Sequence, residues 1–151
     1  MHLNVEHRAF IRQAMEKKHL GQLKIVRGEN PGSKKMEYTL GDLRYENCFY
    51  GKKDFFGTEV VWEGKQAIWG RNYIGQVLEE EMDRKFFDEM CIWAMNESES
   101  PKFVYRSTDD YKEFKRSVEG TWTFFRGHDL LFYRGLQVYD CYYQGGSIGI
   151  D

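Results

Sequence analysis

The chain is short of the residues that usually announce a chemistry. Its three cysteines, Cys48, Cys91 and Cys141, stand far apart in 151 residues. They form no C-x-x-C pair and no Cys/His cluster at metal-ligand spacing, which excludes a zinc finger or a dithiol redox motif. An odd, scattered set is what reduced thiols in a cytoplasmic protein look like. The histidines, His2, His7, His19 and His128, are equally dispersed, so no metal is expected. No cofactor is expected either. No β-α-β pattern carries a phosphate-binding glycine loop, and the isolated G-x-x-x-x-G spacings lack the Lys-Ser/Thr of a P-loop. There is no run of about 18 apolar residues, so no membrane helix is expected. Met1-His2-Leu3-Asn4 leads into a charged helix rather than a signal peptide. Charge of one sign is also missing. The net charge is −2, with 30% charged residues of both signs interspersed. A direct nucleic-acid surface needs a basic stripe or patch, and none is visible.

What the chain does have is aromatics, 17% of its residues, including ten tyrosines and four tryptophans. Aromatics fit pleated surfaces, and they also suit an aromatic-lined pocket. Many sit in two segments that resemble each other. At a constant offset of 70, Phe55 matches Phe125, Gly57 matches Gly127, Tyr73 matches Tyr143 and Gly75 matches Gly145. Glu59/Asp129, Val60/Leu130, Val61/Leu131, Trp62/Phe132, Ile68/Val138 and Trp69/Tyr139 are conservative pairs. Repeated supersecondary units dominate a fold where they occur. Two amphipathic hairpins of one geometry would share the same pattern without duplication.

The periodicity predicts a first helix over about 5–18. Asn4 is its N-cap, Phe10, Ile11, Ala14 and Met15 form its apolar stripe, and Gly21 is its stop. Residues 27–35 read as a loop. Strands follow at 36–40 and from Leu43, where Leu43, Tyr45, Asn47 and Phe49 alternate with Arg44, Glu46, Cys48 and Tyr50. The first repeated hairpin then turns near Gly64-Lys65. A second helix is expected over about 79–95, its first turn carrying Glu79-Glu80-Glu81 and its buried face Met82, Phe86, Phe87, Met90, Cys91, Trp93 and Ala94. Residues 96–101 read as a loop and Phe103-Val104-Tyr105 as a short strand. A short third helix is expected from Thr108 or Asp109 through Val118, ended by Gly120. The second repeated hairpin turns near Arg134-Gly135, and Gly145-Gly146 closes the last strand. Together these make one domain over residues 1–151. Its class is α+β, a mainly antiparallel sheet of pseudo-repeated β-hairpins with two to three helices packed on one face.

Two-residue turns without irregularity would put Thr58, Val60, Trp62, Trp69, Arg71 and Tyr73 on one face of the first hairpin. Glu59, Val61, Ile68 and Asn72 would take the other. Both faces are then apolar at mid-strand, which implies that something covers each. A one-residue slip would exchange every assignment. Glu59 and Asp129 stand out, because each is an acid inside an apolar strand, two residues after a glycine. Buried together they would raise each other's proton affinity. They could bind a cationic or hydrogen-bonding ligand, act as an acid/base pair, or be satisfied structurally. Tyr45, Trp69, Asn72, Tyr73 and Tyr143 complete the candidate ligand-binding set, with core packing as the alternative for each aromatic. No nucleophile, base and orienter assemble from spacing, so no catalytic residue is named.

The run Gly41-Asp42-x-x-Tyr45-x-Asn47-x-x-x-Gly51, Phe55-x-Gly57-x-Glu59 and Trp69-x-x-Asn72-Tyr73-x-Gly75 resembles an uncharacterised bacterial family. So does Phe125-x-Gly127-x-Asp129 with Tyr139-x-x-x-Tyr143-x-Gly145-Gly146-x-Ile148. Members of that family occur alone or fused C-terminal to helix-turn-helix domains of the Xre type. The resemblance spans nearly the whole chain. Four positions depart from the family's pattern: Asn47 for a usual Asp, Lys52 for a Gly, Arg71 for a Met and Gln144 for a His. The resemblance implies a sensing domain of the kind found in one-component regulators, but no assigned chemistry. The chain begins at the first helix of the resemblance and shows no helix-turn-helix, so it is not expected to bind DNA itself. The helix-plus-hairpin layout is also similar to effector-binding domains of multidrug-response regulators, by architecture alone. Three functions are therefore in play: binding of a small organic ligand in a cleft of the sheet, a small enzyme using Glu59 and Asp129, and a homodimerising module.

Overall fold

The computed structural model describes residues 3–80, 82–96, 102–107 and 111–149. Helix α1 (Val5–His19) precedes strands β1 (Val26–Arg27), β2 (Lys34–Leu40), β3 (Leu43–Gly51), β4 (Asp54–Glu63) and β5 (Gln66–Val77). Helix α2 (Arg84–Asn96) precedes β6 (Lys102–Arg106), β7 (Lys112–Thr121), β8 (Phe124–Tyr133) and β9 (Leu136–Ser147). The strands form one antiparallel sheet in the order β1-β2-β3-β4-β5-β9-β8-β7-β6. Two meanders thus meet at their last strands, where Tyr73 lies opposite Tyr143 and Gly75 opposite Cys141. No helix among the described residues is long and apolar enough to cross a membrane.

Local chemistry explains the element ends. Asn4 accepts from the His7 amide while the His7 ring reaches back to the Asn4 amide, so two orphan donors of α1 are satisfied reciprocally. Asp83 caps α2 through the Phe86 amide at 3.0 Å and also accepts from Lys112 at 2.7 Å. The expected start of this helix in the acidic run is therefore corrected. Glu79 and Glu80 are exposed ahead of the helix, and Glu81 lies outside the described residues.

The expected third helix is also corrected, because residues 112–121 are strand β7. Phe114, Arg116 and Val118 alternate onto one face, and neighbours on both sides supply ladder hydrogen bonds that a lone segment lacks. The Thr108 or Asp109 cap lies outside the described residues. Gly120 is not a helix stop. It takes φ +93° near the end of β7, opposite Phe125, where a side chain would strike the Phe124 carbonyl.

Both hairpins turn where expected, but each contains a β-bulge. Val61 pairs with Trp69 and Trp62 with Ala67, so Ile68 is the extra residue. Leu131 pairs with Tyr139 and Phe132 with Gln137, so Val138 is the extra residue at the corresponding place. An extra residue reverses the facing of everything beyond it. Trp69, Arg71 and Tyr73 therefore join Glu59 and Val61 on one face, while Asn72 turns to the other. In the second hairpin Tyr139, Cys141 and Tyr143 join Asp129 and Leu131.

This inward face carries the core. Phe10, Ile11, Ala14 and Met15 of α1 pack with Tyr45, Val61, Ile68 and Trp69. Phe86, Phe87, Met90, Cys91 and Ala94 of α2 pack with Phe114, Leu131, Val138 and Tyr139. Trp62 and Phe132 are half-buried on the outward face, where Arg44 and Lys115 lie over their rings. The outward face also exposes Phe56, Ile74 and Tyr142, which oppose one another across β4, β5 and β9.

Candidate functional site

The site is built by one local device used twice. Phe55, Gly57 and Glu59 alternate along β4, so all three share a face. Gly57 lies opposite Tyr73, and the tyrosine ring folds across the space a side chain would occupy. A Cβ on Gly57 would sit 2.2 Å from the ring, and one on Gly127 2.0 Å from the ring of Tyr143. The glycines therefore let the tyrosines lie flat across the neighbouring strand and reach polar partners. Tyr73 donates to Asn47 Oδ1 at 2.8 Å, and Tyr143 donates to Asp129 Oδ1 at 3.1 Å. Gly127→Ala should displace the ring and cost about 1–3 kcal/mol, as overpacking does. Urea melts of the variant measure it, and a midpoint equal to that of the unaltered protein would show that the ring tolerates the methyl.

Each acid anchors a buried charged cluster. Glu59 is fully buried. Its Oε1 accepts from Arg71 Nε at 2.7 Å and lies 2.6 Å from Nη2 as an ion pair, and its Oε2 accepts from Lys18 at 3.3 Å and from the Tyr45 hydroxyl. Burial pushes the Glu59 carboxyl up, but the adjoining Arg71, Lys18 and Tyr45 outweigh it and hold it down to about 2. For Glu59 the upward drift expected of acids buried together is reversed, because cations lie within bonding distance. Asp129 takes a bidentate grip from Arg116, Nε to Oδ1 at 2.8 Å and Nη2 to Oδ2 at 2.7 Å. Burial opposes charge on Arg116, yet the Asp129 carboxylate beside it keeps the guanidinium well above its ordinary value. The two clusters meet at Tyr143, with Arg71 over its ring at 5.3 Å and Arg116 at 5.8 Å.

A cavity of about 560 Å³ opens beside these clusters. Arg71, Arg116, Asp129, Tyr73 and Tyr143 line it from the sheet, and Lys18, His19, Asp88 and Cys91 from the helices. The volume falls within the range of small-molecule sites. Asp88 contacts His19 at 2.8 Å, with burial raising its carboxyl to about 6 and depressing His19 well below its ordinary value. Burial also pushes the Cys91 thiol up to about 12 and the Cys141 thiol to about 11, so neither is an activated nucleophile.

Of the residues singled out from sequence, Glu59, Asp129, Tyr45, Tyr73 and Tyr143 meet in these clusters. Asp129, Tyr73 and Tyr143 line the cavity, whereas Glu59 and Tyr45 stand behind Arg71. Trp69 is buried, stacks on Phe125 at 6.0 Å and lines a smaller neighbouring cavity. Asn72 is exposed on the outward face, turned there by the bulge at Ile68. His128 likewise faces outward, bonded to Asp140 at 2.5 Å and stacked on Tyr142. The partners that sequence reasoning missed are Lys18, Asn47 and Arg116. Lys18 was legible, because it continues the stripe Ile11, Ala14, Met15 at helical spacing. Arg116 was hidden by reading β7 as a helix.

Comparison with known proteins places only the family. No curated protein and no solved structure matches the chain. A family described as a domain of unknown function, DUF5680, matches residues 47–148, which hold β4, β5, α2 and β6–β9 together with Glu59, Arg71, Arg116 and Asp129. With more than half of its length matched, the chain belongs to the DUF5680 family of domains of unknown function.

Proposed function

We propose that this domain binds a small organic ligand in the cavity between the inward face of the sheet and the two helices, as a cytoplasmic sensor or effector domain. The observation that carries the reading is the cavity itself. An open volume of about 560 Å³ adjoins five largely buried charged side chains. Interiors are close-packed, and buried ion pairs are at best neutral for stability. A core kept both open and charged is costly, and a ligand is the simplest return. On this reading the two halves are copies of one helix-plus-four-strand unit, whose glycine–tyrosine–acid devices meet around the cavity. Fusion to a DNA-binding domain in other family members would turn occupancy into a regulatory signal.

The enzyme reading has less support. Both oxygens of Glu59 accept from Arg71, Lys18 and Tyr45, and both oxygens of Asp129 accept from Arg116, so each acid of that pair is already engaged and poorly placed to act as a base. The exposed row Phe56, Ile74 and Tyr142 supports a second reading, self-association through the outward face. One thermal-shift screen tests both, using acidic, neutral and basic metabolites on the unaltered protein and on Met36→Trp, which narrows the cavity from β2. A compound that raises Tm in proportion to its concentration, and does so less in Met36→Trp, is the expected result. A library with no hit overturns the ligand reading. A Tm that climbs with protein concentration supports self-association.

A further inference from the structure

We propose that the ligand is an organic acid with an aromatic body, its carboxylate held among Lys18, Arg71 and Arg116 and its ring lodged in the apolar chamber beyond them. This rests on the ligand-binding reading and adds the chemical class.

The first observation is charge. Lys18, Arg71 and Arg116 have side chains only 14%, 18% and 17% exposed, and they share two carboxylates, Glu59 and Asp129. Among the described residues the central cluster is one negative charge short. Three further cations, Lys34, Lys52 and Arg84, line the same cavity, and its other acid, Asp88, is engaged with His19. An uncompensated buried cation is expensive, so the cavity favours an anion over an amine or a neutral molecule.

The second observation is hydrogen-bond capacity. A guanidinium offers five N–H donors. Arg71 donates to Glu59 and to the Met15 sulfur at 3.2 Å. Arg116 donates to Asp129 and to the Cys91 sulfur at 3.5 Å. Sulfur is a weak acceptor. Donors resting on sulfur at the wall of a cavity are donors that a carboxylate oxygen would take over, with a charge-assisted bond in exchange.

The third observation is a second chamber. Arg71, Tyr143 and Arg116 line the large cavity and also a neighbouring one of about 170 Å³. The smaller chamber is walled by Ile11, Trp69, Met95, Trp122 and Phe125 among others, with no acid among the described residues of its lining. An apolar cavity of roughly 150 Å³ is enough to hold a benzene ring. One partition with cationic donors on one side and an aromatic slot on the other suits a molecule with a carboxylate at one end and a ring at the other.

The test is calorimetric titration of the full chain with phenylacetate, and with acetate, phenylacetamide and phenethylamine as matched probes. Phenylacetate should bind at least tenfold more tightly than each of the other three. Arg116→Gln should remove the preference for the acid over the amide. Val118→Phe, which fills the apolar chamber, should reduce phenylacetate to the level of acetate, with circular dichroism verifying that both variants fold. Should either variant fail to fold, the probe comparison on the unaltered protein decides alone. Amide or amine binding as tightly as the acid overturns the charge assignment, and acetate binding as tightly as phenylacetate overturns the ring assignment. Either result leaves the ligand-binding reading standing, provided other compounds stabilise the protein. If no compound of any class binds, that reading falls together with the proposal.

Discussion

Glu59→Ala is expected to lower stability by about 3–5 kcal/mol, the cost of removing one partner from a buried ion pair. The carboxylate is fully buried and satisfies three groups at once, the Arg71 guanidinium, the Lys18 ammonium and the Tyr45 hydroxyl. Alanine leaves two cations without their counter-charge and a buried hydroxyl without its acceptor. Glu59→Gln keeps the shape and an acceptor oxygen, and should lose less. The same group predicts an acid limb. Its folded value of about 2 lies below an unfolded value near 4.3, so its contribution is complete above that unfolded value. The contribution then fades as pH falls toward 2. Integrated over the shift, it is on the order of 3 kcal/mol. Denaturant melts at pH 6 and at pH 2.5 read both effects, and the drop between the two pH values should be smaller in Glu59→Gln. A loss below about 1 kcal/mol in Glu59→Ala would show that the cluster is open to water and contributes as little as surface pairs do.

Phe87→Ala carries the second large effect, about 3–5 kcal/mol, the usual cost of truncating a buried phenylalanine. The side chain is 4% exposed, with its ring 4.4 Å from that of Tyr139 and edge-on to Phe114 at 6.1 Å. It is the contact through which α2 grips β7 and β9. It also borders the main cavity, so its removal enlarges a space already open and the helix has little to collapse onto. Guanidinium melts give the number. A midpoint close to that of the unaltered protein would mean that α2 is held by its other contacts, chiefly Phe86, Met90 and Cys91.

Much of the architecture is legible in the order of residues alone. Helix α1 followed from Asn4 and a period of 3.6, and the hairpins from Gly64-Lys65 and Arg134-Gly135 between alternating apolar runs. Periodicity and turn chemistry are properties of neighbouring residues, so a chain reveals them by itself. The unusual status of Glu59 and Asp129 was legible for the same reason, since an acid inside an apolar strand stands out locally.

What tertiary structure alone decided depends on residues far apart in the chain. Strand β7 has a sequence compatible with a short helix. Only β6 and β8 on either side, with ladders such as Tyr105 to Phe114 and Arg116 to Asp129, make it a strand. The bulges at Ile68 and Val138 leave no mark in composition, yet each reverses the facing of half a strand. They carry Arg71, Tyr73 and Tyr143 to the charged face and Asn72 away from it. Whether Glu59 and Asp129 are acids, bases or anchors was likewise beyond the sequence. That depends on cations brought from α1, β5 and β7, because protonation follows the charges within a few ångströms in space and not those adjacent in sequence. The order of residues along the chain is enough to mark which of them are chemically conspicuous. Packing sets that they face inward beside a cavity and which cations lie against them.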